Sequence, residues 1–297
     1  MNAGFRNLLG WRDTTRFKAY VLAISVQMLL LPLLHYFGLV QLNAPAFYPF
    51  GAMLGGFLFG MAMNWGGGCA GGVWYKLGAG NIGALIAIIG VCLGYLAAEA
   101  GALQSLRLLV QSFGASEATT LNALFHQPLW RFAIPLALLL IFFLLKSSRT
   151  APESGWSWIK TGIVVGSIGV IAWLTSSLAG RNFGMAIMPG NKDIFESLAY
   201  GKWQGLGWDF FFVSGIPLGG FLSVYRTGKF ASATLSGAAV WRLAAGGFVL
   251  GASASFAGGC TVGHGLTGIP LLALGSITFT LFALLGAWVG SYWQKKS

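Results

Sequence analysis

The chain has 297 residues, 56% of them hydrophobic and 8% charged, with 18 Lys and Arg against 7 Asp and Glu. A soluble domain carries about 25% charged residues, so a water-facing surface cannot be covered; a soluble enzyme, a disordered tail and, with only three cysteines, a disulfide scaffold are excluded. The net charge of +11 lacks the basic stripe with interleaved aromatics of a nucleic-acid binder, so no nucleic-acid partner is expected, and the excess fits the cytoplasmic loops of a helical membrane protein.

Residues 1–18 are basic, with Arg6, Arg12, Arg16 and Lys18. The apolar run 19–40 that follows is about 22 residues, enough to cross a ~30 Å hydrocarbon core and longer than a cleaved signal core. It is read as a retained first span. Seven further spans are expected at 45–63, 82–103, 129–145, 158–178, 208–224, 238–256 and 269–293. The fold class is therefore all-α and polytopic, with the lipid bilayer as its solvent. The ~10-residue alternating segments of a membrane β-barrel are missing. Several spans end in Trp158, Trp208, Tyr225, Tyr292 or Trp293, as interface anchors do. The longest connections, 104–128 and 179–207, read as polar or mixed. With a cytoplasmic N-terminus and eight crossings, the inside segments hold thirteen Lys and Arg and the outside ones five, namely Arg107, Arg131, Arg181, Lys192 and Lys202. Arg149, Lys229, Lys295 and Lys296 are among the inside set. The positive-inside rule favours this orientation, with both termini cytoplasmic.

The first motif, GGFLFGMAMNWGGGCAGG, occupies residues 55–72. Its spaced glycines suit close helix packing, and Gly67 and Gly68 break the helix before Cys69. Lys76 follows, either setting the local potential or snorkelling. Cys92 falls near the middle of the third span, as a path or a core residue. Glu99 lies in the outer part of that span, and an intramembrane carboxylate is a functional candidate by default. The 179–207 connection carries Arg181 and Lys192 in GRNFGMAIMPGNKD, read as a solvated loop in preference to an outer collecting vestibule.

The second motif, GGFVLGASASFAGGCTVG, occupies 246–263 and matches the first at eight of eighteen positions with a constant offset of 191. Gly258, Gly259 and Cys260 answer to Gly67, Gly68 and Cys69. The span before Cys69 runs inward and that before Cys260 outward, so the copies are inverted, with one repeat at about 19–145 and the other at about 158–293 in a single transport domain. Such repeats characterise transporters and some channels. Twelve residues lie between Cys69 and the next span and eight between Cys260 and the next, which fit a re-entrant loop and a half-helix that begins at the Cys. Non-helical backbone at membrane depth survives only within protein or beside a wet cavity, and a half-helix N-terminus favours anions. The thiols of Cys69 and Cys260 could be inert, disulfide-bonded or S–H donors facing a path; their matched placement favours the last. Thr261 and His264 join the candidate path, although a packed, hydrogen-bonded histidine is an equal reading of His264. With His35, His126 and His264 as the sole histidines and no CxxC or HxxxH, no metal or cofactor is expected. The absence of a GxxxxGK[ST] loop argues against primary active transport by this chain.

GGGCAGG around Cys69 and AGGCTVGHGLTG around Cys260 resemble the YeeE/YedE family of sulfur transport proteins. The resemblance implies bacterial inner-membrane uptake of thiosulfate or a related sulfur anion, with loop cysteines contacting the passing ion through S–H hydrogen bonds. Those cysteines are Cys69 and Cys260, and a third would be Cys92. Some relatives are linked to selenium compounds. Others work with a small cytosolic sulfur-carrier protein, which here would be a separate partner. An intramembrane sulfurtransferase or thiol oxidoreductase using the same cysteines is the rival class.

Overall fold

Capping side chains, prolines and glycines cut the apolar sequence into helices of membrane length. A computed structural model describes residues 2–8, 13–114, 118–147, 155–204, 206–228, 230 and 235–296. Arg12, Arg149 and Lys229 of the orientation count lie outside the described residues, as do the side chains of Lys295 and Lys296. Among the described residues the regular elements are all helical. Helix α1 (Asn2–Leu8) precedes α2 (Thr15–Tyr36), α3 (Pro49–Trp65), α4 (Ala70–Gly78), α5 (Ile82–Glu99), α6 (Gln104–Ser112) and α7 (Leu121–Leu124). Then come α8 (Trp130–Lys146), α9 (Trp158–Leu178), α10 (Met188–Tyr200), α11 (Trp208–Tyr225) and α12 (Gly237–Ala257), a π-helical segment (Gly263–Gly268), a 3-10 turn (Ile269–Leu271) and α13 (Leu274–Lys296). The caps follow local chemistry: Ser157 and Ser236 accept from the Lys160 and Ala239 amides at 3.2 and 3.3 Å, opening α9 and α12, and Pro49 opens α3, where a missing N–H costs nothing.

Among the described residues six helices, α2, α5, α9, α11, α12 and α13, are long and apolar enough to cross a membrane. Helices α3 and α8 have 17 residues each, about 26 Å of rise. Large apolar side chains such as Leu93, Phe142, Ile171 and Leu218 stay exposed, as lipid-facing residues would.

Several expected boundaries move. The first long helix starts at Thr15, four residues before the expected 19. Lys18 is buried there because its ammonium donates to the Ser147 carbonyl at 2.6 Å and lies 5.5 Å from the Trp158 ring. The expected last span, 269–293, is two pieces. Leu272 takes a left-handed φ of 56°, and helix α13 begins only at Leu274. Residues 118–121 dock on this break: the Leu121 amide donates to the Leu272 carbonyl and the Leu274 amide to the Thr119 carbonyl, both at 2.9 Å. Part of the polar connection 104–128 is thus structural, and α6 lies within it.

The spaced glycines put backbone on backbone. A Cβ added at Gly55 would lie 2.6 Å from the Ser253 carbonyl oxygen of α12. One at Gly56 would lie 2.7 Å from the Phe279 carbonyl oxygen of α13, and one at Gly60 would strike the Ala283 carbonyl oxygen. In the second motif, Gly247 meets the Ala87 carbonyl and Gly251 the Val91 carbonyl, both on α5. Helices α3 and α12 are antiparallel, Gly51 lying beside Phe256 and Gly66 beside Gly246. Each of the two has a parallel partner: α13 for α3, and α5 for α12. Backbone approach at this distance is what small residues permit in a membrane, where apolar burial gives no drive to associate.

Candidate functional site

The two Gly-Gly-Cys motifs build the same local object. Gly67 and Gly258 take left-handed φ values of 76° and 78°, and Gly68 a φ of 152°; these regions suit glycine and strain other residues. The turn halts the incoming helix and presents the cysteine as the first residue of a new one. The Cys69 carbonyl accepts from the Val73 amide at 3.1 Å, and the Cys260 carbonyl from the His264 amide at 2.9 Å. Helix α4 starts just after Cys69. Residues 261–271 form a continuous helical segment after Cys260 that passes from an α turn into the π segment and the 3-10 turn. Gly67→Ala and Gly258→Ala should each cost about 1–2 kcal/mol, the penalty of a Cβ in left-handed backbone. Near-equal losses in thermal unfolding in detergent are expected, since the two angles agree.

The half-helices meet. A Cβ on Gly71 would lie 3.5 Å from a Val262 methyl and 3.6 Å from the end of Ile187. The Cys69 sulfur rests over the first turn of its own helix, 3.3 Å from a Cβ at Gly72. The Cys260 sulfur sits at the head of its segment, which packs against Ile187 at the wall of a cavity. All three cysteines are buried and free of disulfides.

A cavity of about 440 Å³ reaches Cys260. Gly258, Gly259, Gly263 and His264 also line it, as do Tyr48, Tyr95, Glu99, Arg107 and Arg181. A Cβ at Gly263 would meet nothing within 4 Å, so the first turn after Cys260 is open there. Cys69 and Cys92 do not line this cavity. The Cys92 S–H donates to the Asn191 carbonyl at 3.7 Å, and the Asn191 side chain accepts from the Trp74 indole of α4 at 2.6 Å. Lys76 donates to the Gly67 carbonyl and holds the first hairpin from its exposed side.

His264 has both nitrogens engaged, with Nε2 3.2 Å from the Ala257 carbonyl oxygen and Nδ1 3.0 Å from Ser276 Oγ. A carbonyl only accepts, so Nε2 carries the proton and Nδ1 accepts from the serine. The ring stacks on Phe279 with centroids 4.4 Å apart and lies under Gly259, where a Cβ would come within 3.1 Å of Nε2. His264→Phe strands the Ala257 carbonyl and the Ser276 hydroxyl, and is expected to cost about 1–3 kcal/mol, read as a lower unfolding temperature. Thr261 is 2% exposed and its Oγ1 has no partner among the described residues.

The 179–207 connection overturns its reading as a solvated loop. Met185, Ala186, Ile187 and Met188 are buried, and Ile187 touches both half-helices. Arg181 lines the cavity; Lys192 stays exposed. The Arg181 Nε lies 2.6 Å from Asp209 Oδ2, and its Nη1 donates to the Phe183 and Gly184 carbonyls at 2.7 Å. Burial pulls the guanidinium below its ordinary value and the Asp209 carboxylate opposes that; a guanidinium remains a cation throughout. Sequence reasoning missed Arg107, Gln111 and Ser255 as cavity residues. The Arg107 spacing along the amphipathic segment 104–112 was the available signal.

A family model described as sulphur transport matches residues 1–289 of the chain. Thiosulfate transporter TsuA of Spirochaeta thermophila is 30% identical over 300 residues, spanning 97% of this chain and 90% of that protein. Thiosulfate transporter TsuA of Escherichia coli is 27% identical over 310 residues, spanning 98% and 88%.

Proposed function

The chain belongs to the sulphur transport family, and from that membership we propose that it takes up thiosulfate along a path from Cys260 to Cys69. It is an integral membrane transport protein and not an enzyme, so the thiol-enzyme reading falls. The observation that carries the proposal is the pair of cysteines, each capping a half-helix, with the two half-helices in contact at Gly71 and Val262. The matched glycine seams and the antiparallel α3 and α12 support an inverted-repeat origin, with α3 and α8 completing eight crossings. The positive-inside count supports both termini in the cytoplasm, and the family resemblance implies a bacterial inner membrane.

The physical problem is a dianion in hydrocarbon. Bare transfer costs tens of kcal/mol, and two helix ends supply only about 0.3–2 kcal/mol each. Backbone N–H groups at the starts of the two half-helices, the thiols and residual water have to replace the hydration shell. Thiosulfate has a terminal sulfur that accepts an S–H bond; sulfate has none, and the difference is the basis of selection. A thiolate would repel the ion and donate nothing, so the relay needs protonated thiols. Weak donors in series let the ion leave as readily as it enters. Ile187 and Val262 close the step between Cys260 and Cys69 in the conformation described. Cys92 becomes a third donor only when its bond to Asn191 opens. Beyond Cys69 the Lys76 ammonium faces the exit, where a separate sulfur-carrier protein could receive the ion.

Labelled thiosulfate uptake into proteoliposomes, competed by sulfate, sulfite and selenium analogues, tests this. Saturable uptake blocked by sulfur analogues is the expected result. Selective uptake of a selenium compound would reassign the substrate, and no solute uptake would overturn the reading.

A further inference from the structure

The cavity in front of Cys260 is lined by two arginines held in different ways. Arg181 is tightly paired: its Nε meets Asp209 Oδ2 at 2.6 Å, its Nη1 bonds two carbonyls, and its guanidinium lies 5.2 Å from the Phe183 ring and 5.1 Å from that of Trp208. Arg107 is positioned but loosely countered. Its Nε donates to the Ala98 carbonyl at 3.0 Å and its Nη1 to Gln111 Oε1 at 3.3 Å, whereas Glu99 Oε2 stands 3.7 Å away, outside hydrogen-bond distance. The shorter bond of Glu99 comes from Ser255 Oγ, at 2.7 Å. A carboxylate on the wall of an anion path repels the substrate, so its presence requires a reason.

We infer that Arg107 is the receiving site for an incoming oxyanion and that Glu99 is its resident competitor, displaced when the dianion docks and returning to push it on toward Cys260. This inference rests on the uptake reading above. A guanidinium offers donors to the oxygens of any tetrahedral dianion. The first stage therefore reads charge and the cysteines beyond it read sulfur. Sulfate should dock at Arg107 and go no further. Without Glu99 the ion would be held by an uncompensated cation, and a site that holds too firmly does not pass its ion on.

The test compares wild-type protein with Glu99→Gln in proteoliposomes, measuring the KM and maximal rate for labelled thiosulfate and the inhibition constant of unlabelled sulfate. Glutamine keeps an oxygen to accept from Ser255 and removes the charge. The expected result is that KM and the sulfate constant fall together by roughly fivefold, the upper end of what a partly exposed ion pair contributes, while the maximal rate falls. Arg107→Gln should raise both constants; if it fails to fold, Glu99→Gln decides alone. Unchanged constants in Glu99→Gln, or a change for thiosulfate without one for sulfate, would overturn the inference. Wild-type protein that takes up no thiosulfate would sink the uptake reading instead.

Discussion

Replacing Cys260 by alanine is expected to lower thiosulfate uptake by about 10- to 100-fold, because a hydrogen bond to a charged partner is worth ~1.5–3 kcal/mol. Cys260 is 1% exposed and borders the cavity. Its S–H has to supply the contact to the ion. Cys69→Ala should act similarly at the second half-helix. Cys260→Ser keeps a donor of shorter reach and should fall between alanine and wild type. Cys92→Ala should have the smallest effect of the alanine variants, since that thiol already serves Asn191. Initial uptake rates, normalised to folded protein, read all of these. Wild-type rates in both Cys69→Ala and Cys260→Ala would eliminate the relay and leave a pore indifferent to sulfur.

The second large effect is on assembly. Gly60→Val or Gly251→Val sets a branched side chain against the Ala283 or Val91 carbonyl. The obstacle is backbone, so no rotamer change relieves it. Overpacking costs about 1–3 kcal/mol, occasionally more, against a total stability of about 5–15 kcal/mol. Loss of monodisperse protein on detergent size-exclusion chromatography is expected for both. Gly219→Val, at a position where a Cβ meets nothing within 4 Å, should behave as wild type. Equal behaviour of all three would show that the seams tolerate separation.

What could be read from the residues depended on whether the signal was local. Helix α9 occupies the expected 158–178 because an apolar run bounded by a serine cap and Ala179–Gly180 needs no tertiary information. The half-helices were legible because Gly-Gly before Cys is itself a break. The buried segment 184–188 was not legible: its apolar run is too short for a span, and only contact with Gly71 and Cys260 gives it a place. Arg107 was hidden for a related reason. In the sequence it is one charge in a polar connection, and the packing of α6 against α5 and α12 makes it part of the wall. The start of α2 was misjudged because a lysine normally marks the end of a span, whereas Lys18 is neutralised in cost by a carbonyl and an aromatic ring.

The close backbone approach of α3 and α12 bears on how the molecule works in time. Where glycines bring carbonyl against Cα along the seam, tilting α3 against α12 means lifting a whole helix away from its neighbour. A mechanism of large rocking movements is therefore ill suited to this architecture. On the proposed path movement would then be left to the hairpins: rotation of two sulfhydryls and withdrawal of the Ile187 side chain, small displacements with short relaxation times. Permeation should accordingly resemble hopping through a nearly stationary frame.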